Sequence, residues 1–451
     1  MSISRYIERP WLLFLPFLFF YIGFIFFTSS AGLHGDEVRH MNYVRNLSQG
    51  FFSPPPPHVD LEVGPGYPLF LLPFHLLGAP WLVMRLANGF LLYLSLVLLC
   101  LTLRRYVSAK ITGIASFFWA CYYNAVDYIG LLYSESLAIF LTTAFLFLIT
   151  RLLHSPGGRR NSPDLILSGL TLAFLILTKL IFGYVLLLFL ASMLLLWMFN
   201  RRNLTHRLAL QVLIVAFLMV LPYLFYTQSL SGRHFYWGTS AGLNLYPMSS
   251  PYADEYGSYL PGPTDTRNEE VVSLTNTGRE KASGGGMNLI NRTVYVSSYM
   301  DSINRRHQVD YDTFRHYTGV ALDDAYKRKA IENIGNHPVK FIKNCFSNLG
   351  RIFFNFPYSY MPQKPSTLAR LPMSGTLFLL MLLAVYPTLM NWRRIPFAIR
   401  FLLLFALVYF GGSIPGSAET RMLTTVVPLL LPWLAFVLGR TIKLDFNRWK
   451  S

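Results

Sequence analysis

Hydrophobic residues along this 451-residue chain gather in long runs that are separated by short charged stretches. A helix of about 20 apolar residues is long enough to cross the hydrocarbon core of a bilayer. The first run is too long and too aromatic for a cleaved signal peptide, so we interpret it as a retained helix. The pattern predicts about ten membrane-spanning helices, at residues 11–30, 80–103, 111–127, 135–150, 164–178, 181–199, 209–230, 373–391, 398–413 and 421–440.

The composition agrees with an α-helical polytopic membrane protein. The chain is 53% hydrophobic and 14% charged, and its mean hydropathy is +0.39. Its net charge of +17 does not predict nucleic-acid binding, because the basic residues occur in short clusters between apolar runs. That arrangement is typical of cytoplasmic loops. The three cysteines form no disulfide framework and no metal-thiolate spacing.

The distribution of charge predicts a topology. Ten helices place both termini on one side, and that side holds 18 of the 39 Lys and Arg residues but only three of the 22 acids. The positive-inside rule makes it the cytoplasm. The outer side then holds residues 31–79, 127–134, the turn at 178–179, 231–370 and 413–421.

Three parts follow from this topology. Residues 1–230 form an N-terminal transmembrane module whose first outer loop is 31–79, and residues 371–451 form C-terminal transmembrane helices with a cytoplasmic tail. Residues 231–370 are numerous enough for a small outer domain, α-rich or mixed. Residues 67–79 are apolar but too short to span, so we expect a juxtamembrane or re-entrant helix there.

Charged residues recur at the predicted outer ends of the helices, where an ionisable group is costly and calls for a reason. They are Asp36 and Glu37 after the first helix, Arg85 in the second, Glu135, Lys179, and the pair Glu419 and Arg421. Acids and bases gathered at one interface could bind an anionic head group and a hydroxyl. Structural interpretations stay open: a helix cap for Asp36, a first-turn acid for Glu135, interfacial cations for Arg85 and Lys179, and mutual pairing for Glu419 and Arg421.

Eight segments occur in an order that matches a known family. They are GDEVRHMNY (35–43), EVGPGYPLFLLPFHLLG (62–78), RLANG (85–89), YSESLAIFLTTAFLFL (133–148), LTLAFLILTKLIFGYVLL (170–187), GTSAGLNLYP (238–247), NHPVKFIKN (336–344) and AETRMLTTVVPLLLP (418–432). Together they resemble a GT-C-fold glycosyltransferase of the group that includes protein O-mannosyltransferases and bacterial lipid A aminoarabinose transferases. The chain departs from that group at Gly64, Pro65 and Gly66, where a basic residue and two prolines are common.

The resemblance implies a GT-C bundle of about 10–11 transmembrane helices. It also implies an inverting transfer of a sugar from a polyprenyl-phosphate donor to a hydroxyl of a lipid, glycan or protein. Asp36 would be the base, and Glu135 would bind a sugar hydroxyl, the acceptor or a cation. Lys179, Arg421 and Arg85 would bind the donor phosphate, supported by Glu37, Arg39, His40, Glu419 and Tyr67. A divalent cation, Mg²⁺ or Mn²⁺, is permitted by these acids but not required.

Two other functions remain open at this point. A transporter or flippase of lipid-linked sugars would also need many helices and buried charges, although the chain lacks the internal repeat that such proteins commonly show. A ligase of lipid-linked glycans would use a similar outer site. The family subset suggests a bacterial inner membrane with the site facing the periplasm, and an acceptor in a cell-envelope glycan such as lipopolysaccharide.

Overall fold

The structure is a computed structural model that describes residues 9–30, 32–154, 161–258, 302–359 and 366–441. The regular elements within those ranges are all helical, as the sequence predicts. The α-helices are α1 (Pro10–Leu13), α2 (Leu15–Thr28), α3 (Asp36–Ser48), α4 (Gly66–Leu76), α5 (Trp81–Leu103), α6 (Ala109–Ala120), α7 (Tyr123–Ile129), α8 (Glu135–His154), α9 (Asn161–Thr178), α10 (Ile181–Phe199), α11 (Leu204–Ser231), α12 (Ala241–Met248), α13 (Gln308–Phe314), α14 (Gly319–Asn336), α15 (Pro338–Phe354), α16 (Ser366–Met390), α17 (Phe397–Ser413) and α18 (Thr420–Thr441).

The described helices include six that are long and apolar enough to cross a membrane, namely α5, α8, α10, α11, α16 and α18. Three more, α2, α9 and α17, are apolar but shorter. Nine of the ten predicted spans therefore correspond to an apolar helix of the structure. An integral membrane protein is the architecture that these helices support.

The remaining predicted span, 111–127, is wrong as a single helix. It is divided into α6 and α7 at Tyr122, whose backbone is extended with φ −65° and ψ 99°. The break frees backbone groups, and the hydroxyl of Tyr21 donates a 2.8 Å hydrogen bond to the carbonyl of Ala120. Non-helical backbone at membrane depth is tolerated where the protein itself supplies such partners.

Two of the spanning helices lie at the centre of the bundle. In the most apolar stretches of α8 and α18, 78% and 83% of the residues are buried inside the protein, against 22% in α16. A helix that is hydrophobic on every side is expected to be enclosed by other helices. The core therefore contains α8, from the N-terminal module, and α18, the last described helix. The first turns of α8 and α18 meet at one end of the bundle.

The loop before α4 packs unusually close to the end of α9. A Cβ atom added to Gly64 would lie 2.0 Å from the carbonyl oxygen of Leu177, and one added to Gly66 would lie 2.4 Å from Oγ1 of Thr178. Only glycine permits this approach of two backbones. Gly64 and Gly66 therefore have a steric reason in this chain. The short helix α4 follows directly, where a juxtamembrane helix was expected.

A second, smaller core lies between α12, α13 and α14. Its buried members are Tyr246, Tyr311, Phe314, Ala325, Tyr326 and Ala330. They belong to the predicted soluble region, of which residues 259–301 and 360–365 lie outside the described ranges. Its described part is helical, and α15 connects it to the main bundle.

Candidate functional site

Four charged side chains from four different helix ends meet at one end of the bundle. Asp36 is the first residue of α3, Glu135 begins α8, Lys179 follows α9, and Arg421 lies in the first turn of α18. We call these four residues the charge cluster. They are distant in the chain, so the contacts between them define one site built by both halves of the protein.

Asp36 and Arg421 form the ion pair at the centre of the charge cluster. Nη1 of Arg421 lies 2.6 Å from Oδ2 of Asp36, and Nη1 of Arg39 lies 3.5 Å from the other oxygen. Burial would raise the pKa of the Asp36 carboxyl, but Arg421 and Arg39 outweigh it and hold that pKa well below its usual range. Gly35 is the N-cap residue of α3, so Asp36 occupies the first helical position and not the cap position.

Glu135 and Lys179 form the second ion pair. Nζ of Lys179 lies 2.6 Å from Oε1 of Glu135, and that same oxygen lies 4.0 Å from Nη1 of Arg421. The Glu135 side chain is 1% exposed, whereas those of Lys179 and Arg421 are 14% and 26% exposed. The two cations thus lie closer to the solvent than the acid between them. The charge cluster is a continuous alternation of acid and base: Asp36, Arg421, Glu135 and Lys179.

Arg85 and Glu37 form a separate pair beneath the surface. Their side chains are 1% and 0% exposed, and Nη2 of Arg85 lies 2.9 Å from Oε1 of Glu37. Arg85 also donates to the carbonyls of Ser30 and Gly32, at 2.6 and 3.1 Å. Glu37 accepts a 2.8 Å hydrogen bond from the amide of Leu132. This pair fixes the loops that precede α3 and α8, and the structure gives Arg85 no contact with the charge cluster.

His40 and Tyr67 form the buried wall next to the acids. His40 lies one helical turn after Asp36, is 4% exposed, and packs edge-on against the ring of Tyr67 with centroids 5.0 Å apart. The hydroxyl of Tyr67 is 3.3 Å from Nδ2 of Asn88. Burial, against the opposing charge of Asp36, lowers the pKa of His40 to about 4, so the ring is neutral at pH 7. Its Nδ1 has no hydrogen-bond partner among the residues that the structure describes.

Glu419 and Arg421 lie close together, as one structural interpretation proposed, but their contact is loose. Nε of Arg421 is 3.6 Å from Oε2 of Glu419, and this Nε makes no hydrogen bond in the described part of the chain. The loop before them is held by Asn348 on α15. The Asn348 amide donates to the carbonyls of Ile414 and Gly416 at 2.8 and 2.5 Å and accepts from the amide of Ala418 at 3.1 Å.

The structure adds an ion pair that the sequence reasoning did not single out. Nη2 of Arg370, at the start of α16, lies 2.5 Å from Oδ2 of Asp127 on α7, and its Nη1 lies 3.2 Å from Oγ1 of Thr420. Arg370 thereby contacts the residue that precedes Arg421. In the sequence, the only sign of this ion pair was the position of Asp127 at the end of a predicted span.

A divalent cation is not favoured by the donor set. The described residues contain no group of three or more His, Cys, Asp and Glu side chains arranged to hold a metal ion. Asp36 and Glu135 face Arg421 and Lys179 instead, and each acid already has a cationic partner within 2.6 Å. The charge cluster therefore fits an anionic ligand that competes for the cations.

Comparison with solved structures identifies the fold of this chain. No protein-family model and no curated protein sequence matches the chain. Among solved structures, the archaeal oligosaccharyltransferase AglB from Archaeoglobus fulgidus, in complex with an inhibitory peptide and a dolichol-phosphate, superposes with a TM-score of 0.50 at 13% identity. The match covers 97% of this chain and 53% of that one. The chain has a GT-C fold.

Two further structures are similar to this GT-C chain. The Archaeoglobus fulgidus oligosaccharyltransferase tethered to an acceptor peptide gives a TM-score of 0.50 at 14% identity, covering 97% of this chain and 50% of that one. ArnT from Cupriavidus metallidurans bound to undecaprenyl phosphate gives 0.35 at 12% identity, with coverages of 97% and 79%. The chain spans about half the length of the oligosaccharyltransferase, and at 13–14% identity the likeness shows the fold alone.

Proposed function

We propose that this protein is an inverting glycosyltransferase that moves a sugar from a polyprenyl-phosphate donor to an acceptor hydroxyl at the outer face of the membrane. The observation that carries the proposal is the charge cluster, in which two carboxylates and two cations meet at one end of a GT-C bundle. The oligosaccharyltransferase and ArnT were each captured with a polyprenyl-type phosphate, which supports the donor class.

Asp36 is the proposed base. It is ionised at neutral pH, since Arg421 and Arg39 lower its pKa, and an ionised carboxylate can accept the proton of an attacking hydroxyl. The acceptor oxygen forms a bond to the anomeric carbon while the bond from that carbon to the phosphate oxygen breaks. One displacement inverts the anomeric configuration. The proton ends on Asp36, and the leaving group is a polyprenyl phosphate.

Arg421 and Lys179 are the proposed partners of the leaving phosphate. Phosphate charge grows as the bond breaks, and cations placed beforehand stabilise it. The Nε of Arg421 lacks a hydrogen bond within the described residues, so the guanidinium has donor capacity left for a ligand. If a bound donor phosphate draws the Arg421 guanidinium partly away from Asp36, the Asp36 carboxylate loses part of its stabilisation. Its affinity for a proton then rises.

Glu135 would hold Lys179 in place and contact a hydroxyl of the sugar or of the acceptor. Glu37 and Arg85 would act as a rigid support for α3 and not as ligands, because both carboxylate oxygens of Glu37 and both Nη atoms of Arg85 have partners within the fold. The acceptor would be a lipid, a glycan or a protein. The proposed location is a bacterial inner membrane with the charge cluster facing the periplasm and both termini in the cytoplasm.

The test uses the full-length protein in nanodiscs with a panel of polyprenyl-phosphate sugars and a membrane-glycan extract. Wild type should release free polyprenyl phosphate, and Asp36→Asn should bind donor but release none. The matched control is Asp312→Asn, the same change at an exposed acid on α13. If no donor is consumed, and both proteins move labelled donor across sealed vesicles equally, the protein is a transporter and the proposal fails.

A further inference from the structure

Helix α15 buries several polar side chains and exposes several apolar ones. Asn344, Asn348 and Arg351 are each 0% exposed. Asn344 donates to the carbonyl of Met248 at 3.0 Å, and Arg351 donates to that of Tyr256 at 2.6 Å. The buried face therefore binds loops by hydrogen bonds, in addition to the apolar packing of Ile352 and Phe353.

The opposite face of α15 carries large apolar side chains with no cover in the described structure. Val339, Ile342 and Phe346 are 65%, 54% and 68% exposed. Their spacing of three and four residues places them in one stripe along the helix. Lys343 is exposed within the same stripe. An exposed apolar stripe is unfavourable in water, so we expect apolar groups to cover it and anions to lie near Lys343.

The position of α15 indicates what covers the stripe. Asn348 contacts the carbonyl of Ile414, which follows the end of the apolar helix α17. Further along the same half of α15, close to its C-terminus, the ring of Phe353 packs against Phe378 on α16, with centroids 5.1 Å apart. α16 is the spanning helix with the least buried surface. The stripe thus continues the bundle's outer apolar surface at the level where the spanning helices end.

We propose that α15 lies in the membrane interface on the side of the charge cluster. Val339, Ile342 and Phe346 enter the outer part of the acyl chains, and Lys343 extends its charged end to lipid phosphates. An apolar stripe that carries a cation is the pattern of an interfacial helix, in which a lysine stem lies along the lipid and its ammonium reaches the head groups. Because Asn348 holds the loop before Glu419 and Arg421, α15 connects the lipid surface to the charge cluster.

Spin labels test this placement in the full-length protein. Cys100, Cys121 and Cys345 are first replaced by alanine, single cysteines are introduced at positions 342, 343 and 346, and the protein is placed in lipid nanodiscs. Asp312→Cys, on an exposed turn of α13, is the water-facing control. Labels at 342 and 346 should collide severalfold more with oxygen than with a water-soluble nickel chelate, and the label at 343 should lie at a shallower depth.

Two results would overturn the proposal. Labels at 342 and 346 that collide with the nickel chelate as readily as the label at 312 would place α15 in water. Labels shielded from both reagents would show that protein covers the stripe. A photoreactive amino acid at Phe346 in the protein with native cysteines provides a second readout, should the cysteine-free protein not fold. Crosslinks to lipid support the interface, and crosslinks to protein refute it.

Discussion

The neutral, buried imidazole of His40 predicts a specific loss of stability in mild acid. Burial lowers the pKa of His40 to about 4 from an ordinary value of 6.5, and the side chain is 4% exposed. His40 of the unfolded chain therefore binds a proton below pH 6.5, whereas His40 of the folded chain stays neutral down to about pH 4. Stability is lost as the pH falls through this window, because protons favour the unfolded state there.

The shift sets the size of the effect. One pKa unit corresponds to about 1.4 kcal/mol, so the full difference is worth about 3 kcal/mol, and about 2.5 kcal/mol of it should be lost by pH 4.5. The substitution His40→Gln removes the titrating group while keeping a polar side chain. Between pH 7.5 and 4.5, wild type should lose about 2.5 kcal/mol more than the variant. The variant can be less stable at both pH values without affecting this difference.

Equilibrium unfolding by SDS in mixed micelles, followed by tryptophan fluorescence, measures the free energy of unfolding at each pH. His316→Gln, which removes an exposed ring, controls for the loss of a histidine. Parallel pH profiles for wild type and His40→Gln would refute the reasoning, because they would mean that His40 can accept a proton in the folded protein. Water would then reach the His40 ring more readily than its 4% exposure indicates.

Three other perturbations follow from described contacts. Arg85→Ala leaves the Glu37 carboxylate buried without its cation and should cost about 3–5 kcal/mol in the same SDS titration, a loss that the double replacement of both residues by leucine should largely recover. Gly66→Ala places a Cβ within 2.4 Å of α9 and should cost about 1–3 kcal/mol, whereas Gly23→Ala, which meets no atom within 4 Å, should not. If the proposed donor is right, Lys179→Met should raise the KM for donor at least tenfold, and an unchanged KM would remove Lys179 from the phosphate site. The unfolding midpoint should fall as well, because the buried Glu135 loses its nearest cation.

The helices were predictable because their signal is local. A long apolar run needs no partner to be recognised, and nine of the predicted spans correspond to apolar helices. The exception, 111–127, is also apolar over most of its length. At its break, the hydroxyl of Tyr21 donates to the carbonyl of Ala120, a contact across 99 residues that no pattern within the run reveals.

The sequence indicated all four members of the charge cluster but not how they pair. Asp36, Glu135, Lys179 and Arg421 stood out because ionisable groups at helix ends are costly in a membrane protein. Nothing in the sequence showed that Arg421 pairs with Asp36 while Arg85 pairs with Glu37. Those partners are decided by how the helices pack. Asp127 and Arg370 escaped notice for the same reason, since neither is unusual until the fold brings them together.

The contact between Asp36 and Arg421 joins residues that are 385 positions apart. During synthesis the first acid enters the membrane long before the ribosome has made its arginine. A nascent chain that has inserted every helix up to α17 holds three members of the charge cluster and lacks the guanidinium between its two acids. Insertion of α18 is therefore the event that completes the charge cluster.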